Sequence, residues 1–478
     1  MRVKALHMIP DINQILSEVQ VKISPKSGEK KRIVAIGKQL ILKIEEIARE
    51  AKIVVVVRLE GSVAKDTWLV ESPDIDIFMR VPPTVPRTDL GDLYLDIARK
   101  ATAGQAQVER FAEHPYLEAT VDETRVNIVP CYDVKQGEWK SATDRTPYHT
   151  DYVKSLLKKQ TCDDIRILKK FMKGIGVYGA EIKVGGFSGY VCELLTLYCG
   201  SFLGVLKSAG NWKAPIQIDL EGHFKGKETE LDKAFSEQLV VVDPVDKGRN
   251  AASAVRSDAL SLFIAASRAF LQKPSIEFFY PSETKPFTAG ILSRTFRNRS
   301  SDFIFMLSPV SNRVPDILWG QLYRSKRTLE RLLKQHGFSV IRDAVWSDEQ
   351  DLNVFLVEVE HRQLPLLKRH VGPSLYQEEE CKNFLQTHVN SGRTLSGPWV
   401  EDGRWVVEIR RKYSDVVELL KAEFKDKNKI SAWGELSRIN LKGARFLVNE
   451  EILPVYLENQ DFARFLTEYL ISRPRWLT

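Results

Sequence analysis

Apolar and polar positions alternate along this chain at two periods, and the expected elements change where the period changes. Apolar residues at helical spacing over 33–51 predict an amphipathic helix, and the β-branched run over 52–57 predicts a short buried strand. Gly61 permits a sharp turn there, and 63–69 suits one or two helical turns. On the next strand, 75–81, strict alternation sends Ile75, Ile77 and Met79 into a core and leaves Asp74 and Asp76 on the other face. Residues 116–121 and 125–129 read as a hairpin-like pair around the turn Asp122-Glu123-Thr124.

Further along, the period becomes mainly helical, with the clearest helices at 152–172, 189–206 and 252–271. After Pro274 the order is strand (303–307), helix (317–335), strand (338–344) and strand (352–359), followed by a helix at 377–388, a strand at 404–409 and a helix at 414–424. This is an α+β platform of a kind often used to hold RNA, although many such units bind none. Pro147 and the polar stretch 141–146 close the first region, so the expected domains are 1–147, 148–273 and 274–478. With no internal repeat and no low-complexity linker, they should pack against one another.

Composition narrows the class without naming a chemistry. A chain of 478 residues is too long for one ordinary core, and 43% hydrophobic with 28% charged residues is ordinary for a globular protein. The balance of 70 Lys and Arg against 63 Asp and Glu gives +7, which permits a nucleic-acid partner without requiring one. The five scattered cysteines form no C-x-x-C pair, which argues against a disulfide framework or structural zinc and for buried thiols in a reducing compartment. Residues 1–10 lack a signal core and no apolar run reaches membrane-spanning length, so a cytoplasmic protein without a membrane partner is expected.

The chemistry is concentrated in Leu59-Glu60-Gly61-Ser62 and Ser72-Pro73-Asp74-Ile75-Asp76. A Gly-Ser turn ahead of a helix offers backbone N–H groups to phosphates, and carboxylates at i and i+2 on a strand can share a hard cation. Together they read as a site for a nucleoside triphosphate and magnesium. The plainer reading of Asp-x-Asp is an edge strand with acidic outward residues, and the Gly-Ser turn after a strand weighs against it.

The motifs Gly61-Ser62, Asp74-Ile75-Asp76, Ala112-Glu113-His114-Pro115-Tyr116, Val129-Pro130-Cys131-Tyr132, Asp144-Arg145-Thr146-Pro147, Val177-Tyr178-Gly179-Ala180-Glu181, Gly186-Phe187-Ser188-Gly189-Tyr190 and Val242-Asp243-Pro244-Val245-Asp246 resemble those of the archaeal, class I CCA-adding enzymes, the tRNA nucleotidyltransferases. They occur in that family's order; in the last 200 residues or so the resemblance rests on element order and patches such as Gly403-Arg404-Trp405. It implies an α+β chain with a polymerase-β-like nucleotidyltransferase head, a helical, nucleotide-binding neck and a C-terminal body and tail that bind tRNA. It also implies template-independent addition of C, C and A to the tRNA 3′ end from CTP and ATP, with two Mg²⁺ ions. The tRNA would be held at its acceptor stem and T arm by backbone shape and 2′-hydroxyls. A homodimer is compatible with this.

By the same resemblance, Gly61 and Ser62 contact the triphosphate, Asp74 and Asp76 hold the metals, Lys169 and Tyr178 reach the phosphates, and Arg249 reads the base. Donors of these types suit phosphate oxygens and the acceptor edges of cytosine and adenine. Read alone, Lys169 beside Lys170 and Lys173 also suits a solvated helix face, and Tyr178 a core. His114 and His149 fall in family motifs as nucleotide or primer contacts, although lone histidines are more often structural.

One position departs from the family. Its third catalytic carboxylate, also a metal ligand, falls on Asn127, which has nearly the shape of aspartate but is neutral, ligates hard cations weakly and takes no proton from a 3′-hydroxyl. Three readings follow: an engineered Asp-to-Asn change; a natural enzyme, its activity reduced, that works with two carboxylates or recruits Asp122, Glu123 or Glu118; or a non-catalytic tRNA-binding protein. A poly(A) or oligoadenylate polymerase of the same superfamily is the enzymatic alternative.

Overall fold

The computed structural model describes residues 11–111, 115–310, 314–425 and 444–477. The chain divides into two compact units, Met1–Glu283 with Pro474–Thr478, and Thr284–Arg473.

The first unit opens with helices Ile12–Ile23 and Ser27–Glu50. The second packs Ile33, Ile36, Leu40 and Ile44 onto a five-stranded sheet. Its strands are β1 (Val56–Glu60), β2 (Asp74–Val81), β3 (Ala106–Phe111), β4 (Pro115–Val121) and β5 (Thr124–Tyr132), in the order β1-β2-β5-β4-β3. Only β2 and β5 run parallel. The strand expected at 52–57 sits further along because the start of that apolar run terminates the helix instead. Lys52 takes a left-handed φ of 57°, and the Ile53 amide donates back to the Ala48 carbonyl at 2.8 Å. The β4–β5 hairpin turns in two residues, Asp122 and Glu123, both with positive φ, and Thr124 is buried as the first residue of β5.

The same unit continues through helices Thr146–Leu156, Lys159–Gly174, Gly189–Cys199, Phe202–Gly210 and Ser257–Gln272. The expected helices at 152–172 and 189–206 are each broken. Extended backbone at Leu157 and Lys158 interrupts the first. Gly200, at a φ of 79°, ends the second, and Ser201 caps a new helix by accepting from the Gly204 amide at 3.0 Å. Phe171, Phe202, Phe263, Phe270, Phe278 and Phe279 fill the core between these helices. A small sheet not expected from the sequence lies among them: β6 (Ile216–Asp219), β7 (Leu239–Asp243) and β8 (Asp246–Asn250).

In the second unit the expected strand-helix-strand-strand order is present as β9 (Asp302–Pro309), helix Pro315–Gln335, β10 (Val340–Ser347) and β11 (Leu352–Val359). The helix covers one face of this antiparallel sheet with Leu318, Leu322, Leu329 and Leu332. A second sheet, β12 (Leu367–Ser374), β13 (Thr394–Glu401) and β14 (Arg404–Arg410), carries helix Glu378–His388. β15 (Arg445–Val448) completes the first sheet beside β9. Among the described residues, no single helix is long and apolar enough to cross a membrane.

Candidate active site

β1 ends at Glu60, and Gly61 turns the chain into the one-turn helix Gly61–Ala64. Its φ is 67°, and a Cβ there would lie 2.0 Å from Asp76 Oδ2, so the turn needs both the conformation and the empty space of glycine. β2 lies beside it, with Asp76 opposite Glu60 in β1 and opposite Asn127 in β5. Ile75, Ile77, Val126 and Ile128 are fully buried on the other face, so the pleat fixes Asp74, Asp76 and Asn127 on this one.

Asn127 Nδ2 donates to Asp76 Oδ1 at 3.0 Å, while Arg125 spans both oxygens of Asp74, Nε to Oδ1 at 2.8 Å and Nη2 to Oδ2 at 2.7 Å. Burial pushes the Asp76 carboxyl up to about 6, against the Asn127 bond and with the Asp74 charge. A desolvated carboxylate beside a second one, with Oδ2 facing the space a side chain at 61 would fill, is a donor pair suited to a hard cation.

Next to this pair is a cavity of about 490 Å³ lined by Ser62, Asp74, Arg125, Lys169, Lys173 and Tyr178. Lys169 is buried rather than on a solvated face. Its Nζ donates to the Thr67 carbonyl, the Thr67 hydroxyl and Glu193 Oε1, each at 3.1 Å. Lys65 Nζ bonds the other oxygen of Glu193 at 2.5 Å. Burial works against the Glu193 carboxylate, yet Lys65, Lys169 and the Thr67 hydroxyl hold it at about 2. Burial likewise lowers the Lys169 ammonium and raises the Tyr178 phenol well above its usual range. A Cβ at Gly189 would lie 3.0 Å from Tyr178 Oη and 3.5 Å from Lys169 Nζ, so both polar ends gather at the start of helix Gly189–Cys199.

A second group surrounds fully buried Asp243 at the end of β7. It accepts from Arg249 Nη1 at 2.6 Å and Tyr190 Oη at 3.2 Å, and bonds His149 Nε2 at 2.8 Å. The His149 and Tyr190 rings stack at 4.1 Å, and Lys65 Nζ lies 5.8 Å from the Tyr190 ring centre. Burial opposes the Asp243 charge, but the His149 bond and the Arg249 charge keep its pKa below the ordinary value. Burial lowers His149 itself.

Gly61, Ser62, Asp74, Asp76, Asn127, Lys169 and Tyr178 are thus brought together, with His149 and Arg249 joined through Asp243. His114 lies outside the described residues. Arg125, Lys173, Glu193, Tyr190 and Asp243 were not anticipated. Tyr190 and Asp243 lie inside motifs already singled out, and Glu193 is an acidic residue within an apolar helix, a signal that sequence offers for a buried ion pair.

A Gly-Ser turn, paired carboxylates on the adjoining strand and a cavity with buried cationic and hydroxyl donors define a nucleotidyltransferase. Residues 41–149 match the nucleotidyltransferase domain family, 163–280 the second domain of tRNA nucleotidyltransferase, and 303–434 the CCA-adding enzyme C-terminal domain. The CCA-adding enzyme of Methanosarcina mazei is 34% identical over 94% of this chain and 96% of its own length. That of Methanopyrus kandleri is 33% identical over 97% and 98%, and that of Pyrobaculum aerophilum 36% over 86% and 93%. The chain belongs to the CCA-adding enzymes. Among solved structures, Cid1 poly(U) polymerase covers 57% of the chain at 15% identity and a TM-score of 0.45, so the assignment rests on the sequence relatives. Nucleotidyltransferases of this family work with divalent metal ions.

Proposed function

We propose that this chain adds C, C and A in order to the 3′ end of tRNA from CTP and ATP, without a nucleic-acid template and with release of pyrophosphate. The observation that carries the reading is the cavity lined by Ser62, Asp74, Lys169 and Tyr178, with Asp76 two residues further along the same strand face.

The Ser62 hydroxyl and the Lys173 and Tyr178 donors bind the triphosphate, the Lys169 ammonium adds positive charge to the same wall, and Gly61 keeps the turn against Asp76. Bound there, the nucleotide presents its α-phosphorus to in-line attack by the tRNA 3′-hydroxyl. Asn127 fixes the orientation of the Asp76 carboxylate through its amide hydrogen bond. Asp74 and Asp76 would hold two Mg²⁺ ions, which when bound supply positive charge to the attacking and leaving oxygens. Arg249, anchored on Asp243 by one arm of its guanidinium, offers the rest of the fork to the cytosine or adenine edge, and His149 braces it through the same carboxylate. Residues 1–147 serve as the head and 148–273 as the nucleotide-binding neck.

In 274–478, Lys368, Arg393, Arg410, Arg411 and Lys412 line one groove of about 230 Å³, a cationic surface suited to the acceptor stem and T arm. Incubation with labelled CTP or ATP, Mg²⁺ and tRNA lacking its terminal CCA tests the reading. Ordered incorporation that stops after C, C and A supports it. Long A tails, or tight tRNA binding without incorporation, would overturn it.

A further inference from the structure

Asn127 leaves the catalytic face one negative charge short, and the neighbouring strand carries a carboxylate beside it. Glu118 in β4 is the direct partner of Asn127 across the antiparallel β4–β5 pair, as Asp76 is across the parallel β2–β5 pair. Directly paired residues point to the same face, so Asp76, Asn127 and Glu118 form one row. The burial of Leu117 and Ala119 on the opposite face fixes that alternation. Each step along this row is about 4.5–5.5 Å between Cβ atoms, so Glu118 stands two steps, about 9–11 Å, from Asp76, and its extra methylene lets the carboxylate lean over the neutral residue between.

What holds Glu118 is informative. Its side chain is 18% exposed, and Oε1 accepts from Arg110 Nη2 at 2.9 Å. Oε2 lies 3.8 Å from Arg125 Nη1, on the same guanidinium whose Nε and Nη2 donate to Asp74. One positive charge is therefore already shared between Asp74 and Glu118. Among the described residues no three such groups converge on a single point, and Arg125 stands between these two. Among the described residues Arg125 is held there by carboxylates, and at 53% exposure its side chain has open solvent to turn into.

We propose that Glu118 supplies the charge missing at position 127, so that with Arg125 turned aside Asp74, Asp76 and Glu118 together hold the divalent cation. Arg125 competes with the cation for the same oxygens of Asp74, which makes it a positioning residue. The inference rests on this face being the nucleotidyltransferase site.

Binding of Mn²⁺ alone to the full chain, followed by electron paramagnetic resonance, tests it apart from turnover. Glu118→Gln should weaken Mn²⁺ binding about tenfold or more, Asn127→Asp added to it should restore most of the loss, and Arg125→Ala should tighten binding. Unchanged affinity in Glu118→Gln overturns the proposal. Unchanged affinity in Asp76→Ala overturns the reading of the whole face instead, so the two failures are distinguishable. Should Glu118→Gln lose its native circular dichroism, Glu118→Asp replaces it: the shorter arm no longer spans Asn127, so weakened binding supports the role and parental binding overturns it.

Discussion

Single residues set the tightest limits on this site. At Gly61, any side chain meets the Asp76 carboxylate and also demands a left-handed backbone. Gly61→Ala should cost about 1–3 kcal/mol in denaturant unfolding and remove nucleotide incorporation, as the turn and Asp76 cannot both keep their places. Arg249 and Lys169 differ in what each would read. Arg249→Ala should narrow the preference for CTP and ATP over UTP in kcat/KM, whereas Lys169→Ala should weaken all triphosphates alike, since phosphates carry no base identity. The same Lys169→Ala change should also lower stability by about 1–3 kcal/mol, because buried Glu193 loses one charged hydrogen bond while Lys65 still pairs it. Equal losses for every nucleotide in both variants contradict the base-reading role of Arg249.

At the scale of elements, Glu193 ties three segments together: the stretch after the Gly61–Ala64 turn through Lys65 and Thr67, helix Lys159–Gly174 through Lys169, and its own helix Gly189–Cys199. Its folded pKa of about 2 lies below the ordinary value of 4.5, so this stability is complete above pH 4.5 and drains as pH falls toward 2. Glu193→Gln should flatten that part of a stability-against-pH curve; an unchanged acid limb would mean the pair contributes nothing. The sequence made the strand under Asp74 and Asp76 legible because two-residue alternation survives any packing. It misplaced β1 because Ile53 and its neighbours are equally at home capping a helix. It joined helices that Gly200 and Ser201 separate, as apolar spacing continues across the break while the φ of Gly200 does not. β12 and β13 went unread because Gly372-Pro373 and Gly397-Pro398 interrupt their pattern, and much of their surface is polar and exposed.

For the molecule as a whole, the site lies within the unit that also contains Pro474–Thr478. Trp476 stacks on Phe278 at 5.0 Å and belongs to the aromatic core around Phe171. Trp476→Ala should therefore destabilise that unit by about 3–5 kcal/mol in chemical denaturation, and an unchanged midpoint would show that the last residues add nothing to it. The family motifs set out the order of chemistry along the chain, but the joining of His149, Tyr190 and Arg249 through Asp243 depends on a sheet that no pattern in those motifs signals.

On the proposed reading, the face carrying Asp76 performs nucleotidyl transfer to tRNA. Single-turnover incorporation of α-labelled CTP into tRNA lacking its terminal CCA, compared between the parent chain and Asp76→Ala, tests it most directly. Asp76→Ala should slow incorporation by a factor on the order of 10³ or more while tRNA affinity stays within about twofold, since the carboxylate acts on the reacting phosphate and not on the RNA. Incorporation at the parental rate in Asp76→Ala would contradict it.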